Sequence, residues 1–424
     1  MTPTELRRRW REGEEVALFD AREEEAFAEG HPFFAVCLPP SQVEARAADL
    51  VPRRSAPLVI FDNGEGAAAR VADRLRGLGY NDVSCLEGDL DAYARDGELF
   101  RDVNVPSKAF GELVESTCHT PSLAAPDVKR LIDAGANVQV LDVRRFEEYR
   151  TMSIPTAVSV PNAELALRVF DLVPSPDTLV VVNCAGRTRS IIGTQTLVNI
   201  GLPNRVAALR NGTIGWTLEG YRLDTGQTRT FASNPDASRR RAAAAARHWA
   251  NQVGVRVIDR PTYDQWMAER DRRTLYRLDV RTPAEHAAGH PAGFLPSPGG
   301  QLVQATDEWV AVRGARLVLF DDLEVRALMT AAWLVQMGWD AVAIQPEAIA
   351  ADQTGMAVPL ASPGANRYRR PYEGTDNPRE KMQAYIDWEL QLVQQIEADG
   401  VSRFRVVCPD AGSSCATPTR HQLR

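Results

Sequence analysis

The chain is organised around the segment Leu179-Val180-Val181-Val182-Asn183-Cys184-Ala185-Gly186-Arg187-Thr188-Arg189-Ser190. Its first four residues are apolar and three of them are β-branched, which predicts a short buried strand. After Ser190, residues 191–200 predict a helix that ends at Gly201. Cys184 therefore stands in a short, glycine-containing loop between a strand and a helix.

This loop has the features of a reactive cysteine site. Backbone N–H groups at the positive end of a helix dipole surround a side chain in this position and favour the thiolate form of a cysteine. Arg187 and Arg189 lie close by in sequence and suit an anionic substrate. The alternative is a buried structural cysteine, which the chemistry of the loop disfavours.

Composition limits the classes of protein that the chain can belong to. Its 424 residues predict two to four domains, and 44% hydrophobic with 25% charged residues is typical of a soluble globular protein. A net charge of −7 gives no support to a nucleic-acid partner. The chain shows no membrane-length apolar run, no apolar leader and no CxxC pair, which favours a cytoplasmic protein without a membrane partner.

One pattern occurs three times along the chain. Each copy begins with Asp-x-Arg after an apolar strand end, at Asp20, Asp142 and Asp279, and a glutamate follows soon after, at Glu25, Glu147 and Glu285. Further landmarks follow each aspartate at constant spacing: after 11 residues His31, Ser153 and His290; after 42 residues Asp62, Cys184 and Asp321; and 17 residues beyond those Gly79, Gly201 and Gly338. Landmarks in register without a gap predict a tandem array of one domain type.

Strand and helix signals alternate within each copy, which predicts an α/β fold whose domains are small parallel sheets flanked by helices. The loop at the Cys184 position follows the carboxyl end of a strand, where open α/β sheets bind ligands. The predicted domains are 1–105, 120–226 and 253–350. An irregular stretch after Ile344 and an amphipathic helix over 378–400 follow them.

These residues resemble the rhodanese (sulfurtransferase) superfamily. The resemblance rests on Asp-x-Arg, on a Gly-His-like element 11 residues later and above all on the Cys-x4-Arg-Ser loop. It implies that Cys184 carries sulfur as a persulfide. It also implies a substrate-binding loop, with supporting residues behind it: the loop is Ala185, Gly186, Arg187, Thr188 and Arg189, and the candidate supports are Asp142, Arg144 and Ser190.

The first and third copies depart from the family pattern. Asp62 and Asp321 stand at the position of Cys184, and a carboxylate cannot take up sulfane sulfur. Both copies are therefore predicted to be inactive as sulfurtransferases. In the second copy the Gly-His element is replaced by Met152-Ser153.

The predicted function is transfer of sulfur from thiosulfate or a similar small donor to cyanide or a thiol, through a Cys184 persulfide and without a metal or organic cofactor. A non-turnover persulfide carrier that serves an acceptor protein, or an interaction module, is the alternative. A cysteine-dependent phosphatase is disfavoured, because such enzymes use Cys-x5-Arg and Arg189 lies five residues after Cys184. Cys408, Cys415 and His421 lack the spacing of a metal site.

Overall fold

A computed structural model describes residues 1–173, 175–232, 235–355, 370 and 375–409. Much of the stretch predicted to be irregular after Ile344 lies outside the described residues, as do Cys415 and His421.

Within the described residues the chain forms three sheets, and every strand pairing in them is parallel. The first has the order β2-β1-β3-β4 and consists of β1 (Ala17–Asp20), β2 (Ala35–Cys37), β3 (Leu58–Phe61) and β4 (Val83–Cys85). The second has the order β5-β9-β8-β6-β7 and consists of β5 (Ser122–Leu123), β6 (Val138–Asp142), β7 (Val158–Ser159), β8 (Leu179–Asn183) and β9 (Val206–Leu209). The third has the order β10-β14-β13-β11-β12 and consists of β10 (Arg256–Ile258), β11 (Leu275–Asp279), β12 (Leu295–Pro296), β13 (Arg316–Phe320) and β14 (Asp340–Ile344).

Helices connect and cover these strands. Those of the first copy are α1 (Pro3–Glu12), α2 (Glu24–Glu29), α3 (Val43–Leu50), α4 (Ala67–Gly77), α5 (Leu90–Tyr93) and α6 (Val105–Cys118). The second copy has α7 (Ala125–Asp133), α8 (Phe146–Thr151), α9 (Asn162–Leu172), α10 (Thr188–Asn199), α11 (Gly212–Leu218) and α12 (Asp236–Val253). The third copy and the residues after it have α13 (Arg260–Ala268), α14 (Pro283–Ala288), α15 (Gly299–Gln304), α16 (Val325–Gln336), α17 (Pro378–Glu389) and α18 (Leu392–Asp399). None of the helices that the structure describes is both long and apolar enough to cross a membrane.

The chain divides into two compact units. The first comprises the described parts of Met1–Ala109, Val255–Glu373 and Gln391–Arg405, and holds the first and third sheets. Within it, Val16 and Arg313 exchange backbone hydrogen bonds of 3.3 and 3.0 Å. The second unit comprises the described parts of Phe110–Gly254, Gly374–Leu390 and Val406–Arg424, and holds the second sheet.

Strand register explains the constant spacing of the repeated motif. Asp20 pairs with Phe61, Asp142 with Asn183 and Asp279 with Phe320. In each sheet the aspartate of Asp-x-Arg therefore lies beside the strand residue that precedes Asp62, Cys184 or Asp321. The motif and the loop meet at the carboxyl edge of the sheet, where the ligand position is expected.

The other landmarks also take equivalent positions. His31, Ser153 and His290 each form an isolated antiparallel bridge, to Phe100, Asp224 and Gln353 respectively. Gly79, Gly201 and Gly338 have φ values of 91°, 66° and 81°, so a left-handed glycine follows the end of each of the helices α4, α10 and α16, and the predicted helix end at Gly201 is confirmed.

Three predictions need correction. The helix expected after Ser190 begins earlier, at Thr188, so the loop is shorter than predicted. The single helix expected over 378–400 is two helices, α17 and α18. They meet where the chain passes from one unit to the other, and each buries apolar residues of its own. Finally, the lack of a CxxC pair favours a reducing compartment, yet Cys118 and Cys408 form a disulfide.

Candidate active site

The Asp-x-Arg motif fixes the strand end that precedes Cys184. We call the ion pair between its arginine and its aspartate the Asp-x-Arg clip. Arg144 donates through Nε and Nη2 to the Asp142 carboxylate and through Nη2 to the carbonyl of Met152, at 2.6 Å. Asn183 donates to the same carboxylate at 2.9 Å. Arg22 and Arg281 form the same clip with Asp20 and Asp279 in copies that lack the cysteine. Asp142 and Arg144 therefore hold the strand end before Cys184 in place, as the equivalent pairs do in the copies without the cysteine.

The start of α11 holds the loop from one side. The N–H groups of Thr213 and Ile214 donate to the carbonyls of Cys184 and Ala185 at 2.9 and 3.0 Å. Gly212 has a φ of 54°, and a Cβ there would come within 2.3 Å of the Cys184 carbonyl oxygen. Only glycine allows this close approach, so the position of the loop depends on Gly212.

The contacts with α11 use carbonyl groups of the loop, so they leave its N–H groups available to bind a ligand. Within the part of the chain that the structure describes, the backbone N–H groups of residues 185–190 donate to no protein acceptor. This stretch contains Ala185, Gly186 and Thr188, the last being the first residue of α10. A row of such N–H groups at a helix start is an anion-binding cradle.

In the two other copies the protein's own carboxylate fills the equivalent cradle. Asp62 accepts from the N–H groups of Gly64 and Ala68 at 2.9 and 2.8 Å. Asp321 accepts from those of Leu323 and Arg326 at 3.2 and 2.7 Å. An anion is thus built into the first and third loops, whereas the second loop has a cysteine side chain in that place.

Cys184 lies at the bottom of this cradle and is only 2% exposed. Its Sγ lies 3.4 Å from the hydroxyl of Ser190, which donates to the Arg187 carbonyl at 2.8 Å. Ser190 therefore links the thiol to the backbone of the loop.

Arg187 does not point freely toward a substrate. Its Nε and Nη2 donate to the two oxygens of Glu112 on α6, each at 2.7 Å, and Nη2 also pairs with Glu115. Nη1 donates to the side-chain oxygen of Asn211 at 3.1 Å. Burial would lower the pKa of the guanidinium, but Glu112 and Glu115 outweigh burial and raise that pKa.

Arg189 is likewise paired. It donates to both oxygens of Glu148 on α8, at 2.7 and 2.9 Å. Burial alone would raise the pKa of Glu148, yet the Arg189 guanidinium holds it below its usual range. Arg326 and Glu285 form the corresponding pair in the third copy, at 2.7 Å.

Sequence reasoning missed the acidic partners of the two arginines. The sequence does contain a signal for Glu148, because Glu148 and Glu285 each lie six residues after the aspartate of their copy. The repeated pattern above instead assigns Glu147 to the second copy. Glu112 and Glu115 precede Arg187 by about 70 residues and belong to no repeated pattern.

Comparison with known proteins finds relatives of more than one kind. The rhodanese-like domain family model matches residues 2–96 and 124–219. Putative sulfur carrier protein YrkF of Bacillus subtilis is 25% identical over 140 residues, which cover 30% of this chain and 73% of the carrier. HTH-type transcriptional regulator Rv0324 of Mycobacterium tuberculosis is 30% identical over 105 residues, and the match spans 25% of this chain and 45% of the regulator.

A solved structure resembles nearly the whole chain. The crystal structure of a thiosulfate sulfurtransferase from Pseudomonas aeruginosa is 42% identical, with a TM-score of 0.91, over 96% of this chain and 99% of that one. The identity and the coverage of both chains exceed what a shared fold alone requires. Together with the family match, they show that this chain belongs to the rhodanese superfamily of sulfurtransferases.

Proposed function

We propose that this protein transfers sulfane sulfur from thiosulfate to a thiophilic acceptor through a persulfide on Cys184. The observation that carries the proposal is the difference between the three loops. Only the second has a cysteine in a cradle of N–H groups that no protein carboxylate occupies, within the described residues. The similarity to a thiosulfate sulfurtransferase supports the choice of donor.

The reaction has two half-steps. In the first, the Cys184 thiolate attacks the outer sulfur of thiosulfate, a new S–S bond forms at Sγ, the S–S bond of thiosulfate breaks, and sulfite leaves with the electron pair. In the second, cyanide or a thiolate attacks the outer sulfur of the persulfide. Thiocyanate or a new persulfide leaves, and the Cys184 thiolate is regenerated.

The loop N–H groups would hold the charge that moves between these species. Donors fixed before the reaction stabilise a charged sulfur without reorganising, which is the main electrostatic contribution expected of such a cradle. Arg187 and Arg189 contribute positive charge that their glutamate partners largely balance. We therefore assign direct anion binding mainly to the backbone of residues 185–190, and the shaping of the loop to the two arginines.

Intact-mass measurement after incubation with thiosulfate tests the proposal. The wild-type protein should gain one sulfur atom, which cyanide removes. The Cys184→Ser variant should gain none, whereas Cys37→Ser and Cys85→Ser should behave like the wild type, since these cysteines lie in the first domain. Sulfur uptake by Cys184→Ser would reject the assignment.

A sulfur carrier that passes its persulfide to a partner protein is the second candidate, and the similarity to a putative sulfur carrier protein favours keeping it. Steady-state release of thiocyanate from thiosulfate and cyanide separates the two. An enzyme turns over many times, whereas a carrier forms the persulfide and releases it slowly to small acceptors. The cytoplasmic location stays a proposal, and the Cys118–Cys408 disulfide argues against it, because disulfides persist mainly in oxidising compartments.

A further inference from the structure

Helix α17 covers one side of the loop that carries Cys184. A Cβ placed on Gly186 would lie 3.5 Å from Oε2 of Glu389, 3.8 Å from Cδ1 of Ile214 and 3.8 Å from Cε1 of Tyr385. Glu389 and Tyr385 belong to α17, whereas Ile214 belongs to α11. The space directly over Gly186, which is part of the N–H cradle, is therefore already filled by the protein itself.

The equivalent loop of the first copy is open. Gly64 lies two residues after Asp62, as Gly186 lies two residues after Cys184. The described part of the chain places no atom other than those of its immediate neighbours within 4 Å of a Cβ on Gly64, and residues 63–66 are all exposed. Cys184, in contrast, is only 2% exposed. The same fold thus has an open loop in the first copy and a nearly closed one in the second, beside α17.

The part of α17 that faces the loop is held in place. Arg379, near the start of the helix, donates to two backbone carbonyls at the end of α11. The Tyr385 ring packs on that of Trp388, which is buried, with 5.6 Å between the ring centroids. The Tyr385 hydroxyl donates to Oε1 of Glu389 at 3.1 Å. Tyr385 therefore forms a fixed wall beside the cradle.

This wall limits what can be attached to the sulfur that Cys184 accepts. A donor brings its outer sulfur to Sγ of Cys184 and its anionic group to the N–H groups of the loop, so the rest of the donor lies near Gly186. Thiosulfate ends at its three sulfonate oxygens and carries nothing further. A bulkier donor would carry a group into the space that Tyr385 fills, and close-packed neighbours yield little to such an overlap.

We propose that Tyr385 is a specificity-determining residue that limits the sulfur donors of Cys184 to small anions. The inference rests on the proposed function, because it concerns the first half-reaction. Organic thiosulfonates, R–SO2–S⁻, vary the size of the donor within one chemistry. The Cys184 thiolate attacks their outer sulfur, a new S–S bond forms at Sγ, the S–S bond of the donor breaks, and the sulfinate R–SO2⁻ leaves with the electron pair.

Methanethiosulfonate and benzenethiosulfonate test this on the wild-type protein, since both carry one negative charge and differ in R. Sulfur uptake is followed by intact mass, with Cys184→Ser as the blank. Each rate is divided by the rate at which the same donor reacts with cyanide in the absence of protein, which removes the difference in intrinsic reactivity. The normalised rate with methanethiosulfonate should exceed that with benzenethiosulfonate by about tenfold or more, the lower end of what a pocket achieves against an added group. Equal normalised rates overturn the proposal without any variant.

The Tyr385→Ala variant removes the wall. It should raise the normalised benzenethiosulfonate rate by about tenfold and leave the methanethiosulfonate rate within about twofold of the wild type. Tyr385→Phe keeps the ring and loses the hydrogen bond to Glu389, so it should keep the wild-type ratio. The matched control is Gln383→Ala, which truncates an exposed side chain of the same helix.

The outcomes separate the inference from the function on which it rests. A wild-type protein that gains no sulfur on Cys184 from thiosulfate rejects both. Sulfur uptake from thiosulfate, with the same donor ratio in wild type, Tyr385→Ala and Gln383→Ala, rejects the role of Tyr385 alone. A Tyr385→Phe protein that behaves like Tyr385→Ala also rejects it, because the hydrogen bond and not the ring would then set the ratio. If Tyr385→Ala does not fold, Tyr385→Leu, which also removes the ring, is measured in its place with the same expectation.

Discussion

Arg187 occurs in the second loop alone of the three, whereas Arg189 has a counterpart in the third loop. The residues at the position of Arg187 are Glu65 in the first copy and Glu324 in the third. Arg326 matches Arg189, and each pairs with a glutamate six residues after the motif aspartate. A pair retained in a copy without the cysteine serves the fold of the loop, so we expect substitution of Arg187 rather than of Arg189 to affect sulfur transfer specifically.

Substitution by alanine should separate these two roles. Arg189→Ala leaves Glu148 buried without its partner, and loss of one member of a buried pair costs about 3–5 kcal/mol of unfolding free energy. Arg187→Ala also leaves a buried partner, Glu112, unpaired, and it should in addition raise KM for thiosulfate by about tenfold or more, because the loop whose N–H groups bind the donor loses its shape. Urea unfolding and steady-state kinetics measure the two effects, with the exposed Arg205→Ala as control. A normally stable Arg189→Ala protein with a greatly raised KM would contradict this division.

The Glu148–Arg189 pair also predicts how stability depends on pH. The pKa of Glu148 is lower in the folded protein than in the unfolded chain, so the pair contributes full stability above the unfolded value of about 4.3. That contribution is lost as the pH falls through the window below about 4. The difference in unfolding free energy between wild type and Glu148→Gln should therefore shrink from pH 7 to pH 3. A difference that stays constant over this range would show that the pKa of Glu148 is the same in the folded protein and in the unfolded chain.

At the level of elements, the packing of α11 against the loop after β8 depends on Gly212. This residue needs both a positive φ and room for the Cys184 carbonyl. Gly201 and Gly212 both have positive φ values, but nothing lies within 4 Å of a Cβ on Gly201, whereas one on Gly212 would strike the Cys184 carbonyl. Gly201→Ala should cost about 1 kcal/mol of stability and leave sulfur transfer intact. Gly212→Ala should displace the loop and strongly reduce persulfide formation. Equal activity in the two variants at matched folded fractions would argue against the close approach.

The third loop offers a test of what makes a copy active. Asp321→Cys, in a Cys184→Ser background, places a thiol beside Asp322 and Glu324. Nearby carboxylates disfavour a thiolate and repel an anionic donor, so little or no persulfide should form. Adding Asp322→Ala, Leu323→Gly and Glu324→Arg, which copies the second loop, should recover a measurable mass increase. Full activity of Asp321→Cys alone would show that the charge of the loop does not separate active from inactive copies.

The sequence allowed prediction of those elements whose signals are local or repeated. The β-branched run of β8, the glycine after each helix and the 42-residue register all follow from such signals, and the register is explained by the pairing of Asp142 with Asn183. Glu112 and Glu115 could not be predicted. They reach the loop from α6, and in a single sequence nothing links a glutamate on a distant helix to one particular arginine.

Across the whole molecule, the three copies retain the Asp-x-Arg clip and the parallel sheet, but they differ in what fills the loop. The clip and the buried strands hold each domain together, and in the first and third copies the aspartate accepts hydrogen bonds from the loop N–H groups, so these loops are stable without the cysteine. One copy can therefore keep its chemistry while the others retain the fold with an aspartate in the cradle. Under the proposed function, this accounts for three copies of one fold that depend on a single cysteine.

The Cys118–Cys408 disulfide lies within the second unit and gives the last prediction. It joins two cysteines 290 residues apart, and it ties the end of α6, which carries Glu112 and Glu115, to the residues after Arg405. A native disulfide typically contributes about 2–4 kcal/mol, largely by restricting the unfolded chain. Cys118→Ser should therefore lower the unfolding temperature, and dithiothreitol should lower that of the wild type but not of the variant. Cys85→Ser, which removes an exposed free cysteine, should change neither the unfolding temperature nor its response to dithiothreitol.

Peptide mapping without reduction should recover the linked Cys118 and Cys408 peptides. If the linked peptides are not found, and dithiothreitol leaves the unfolding temperature of the wild type unchanged, the two thiols are free in solution. Free thiols are what a reducing compartment predicts.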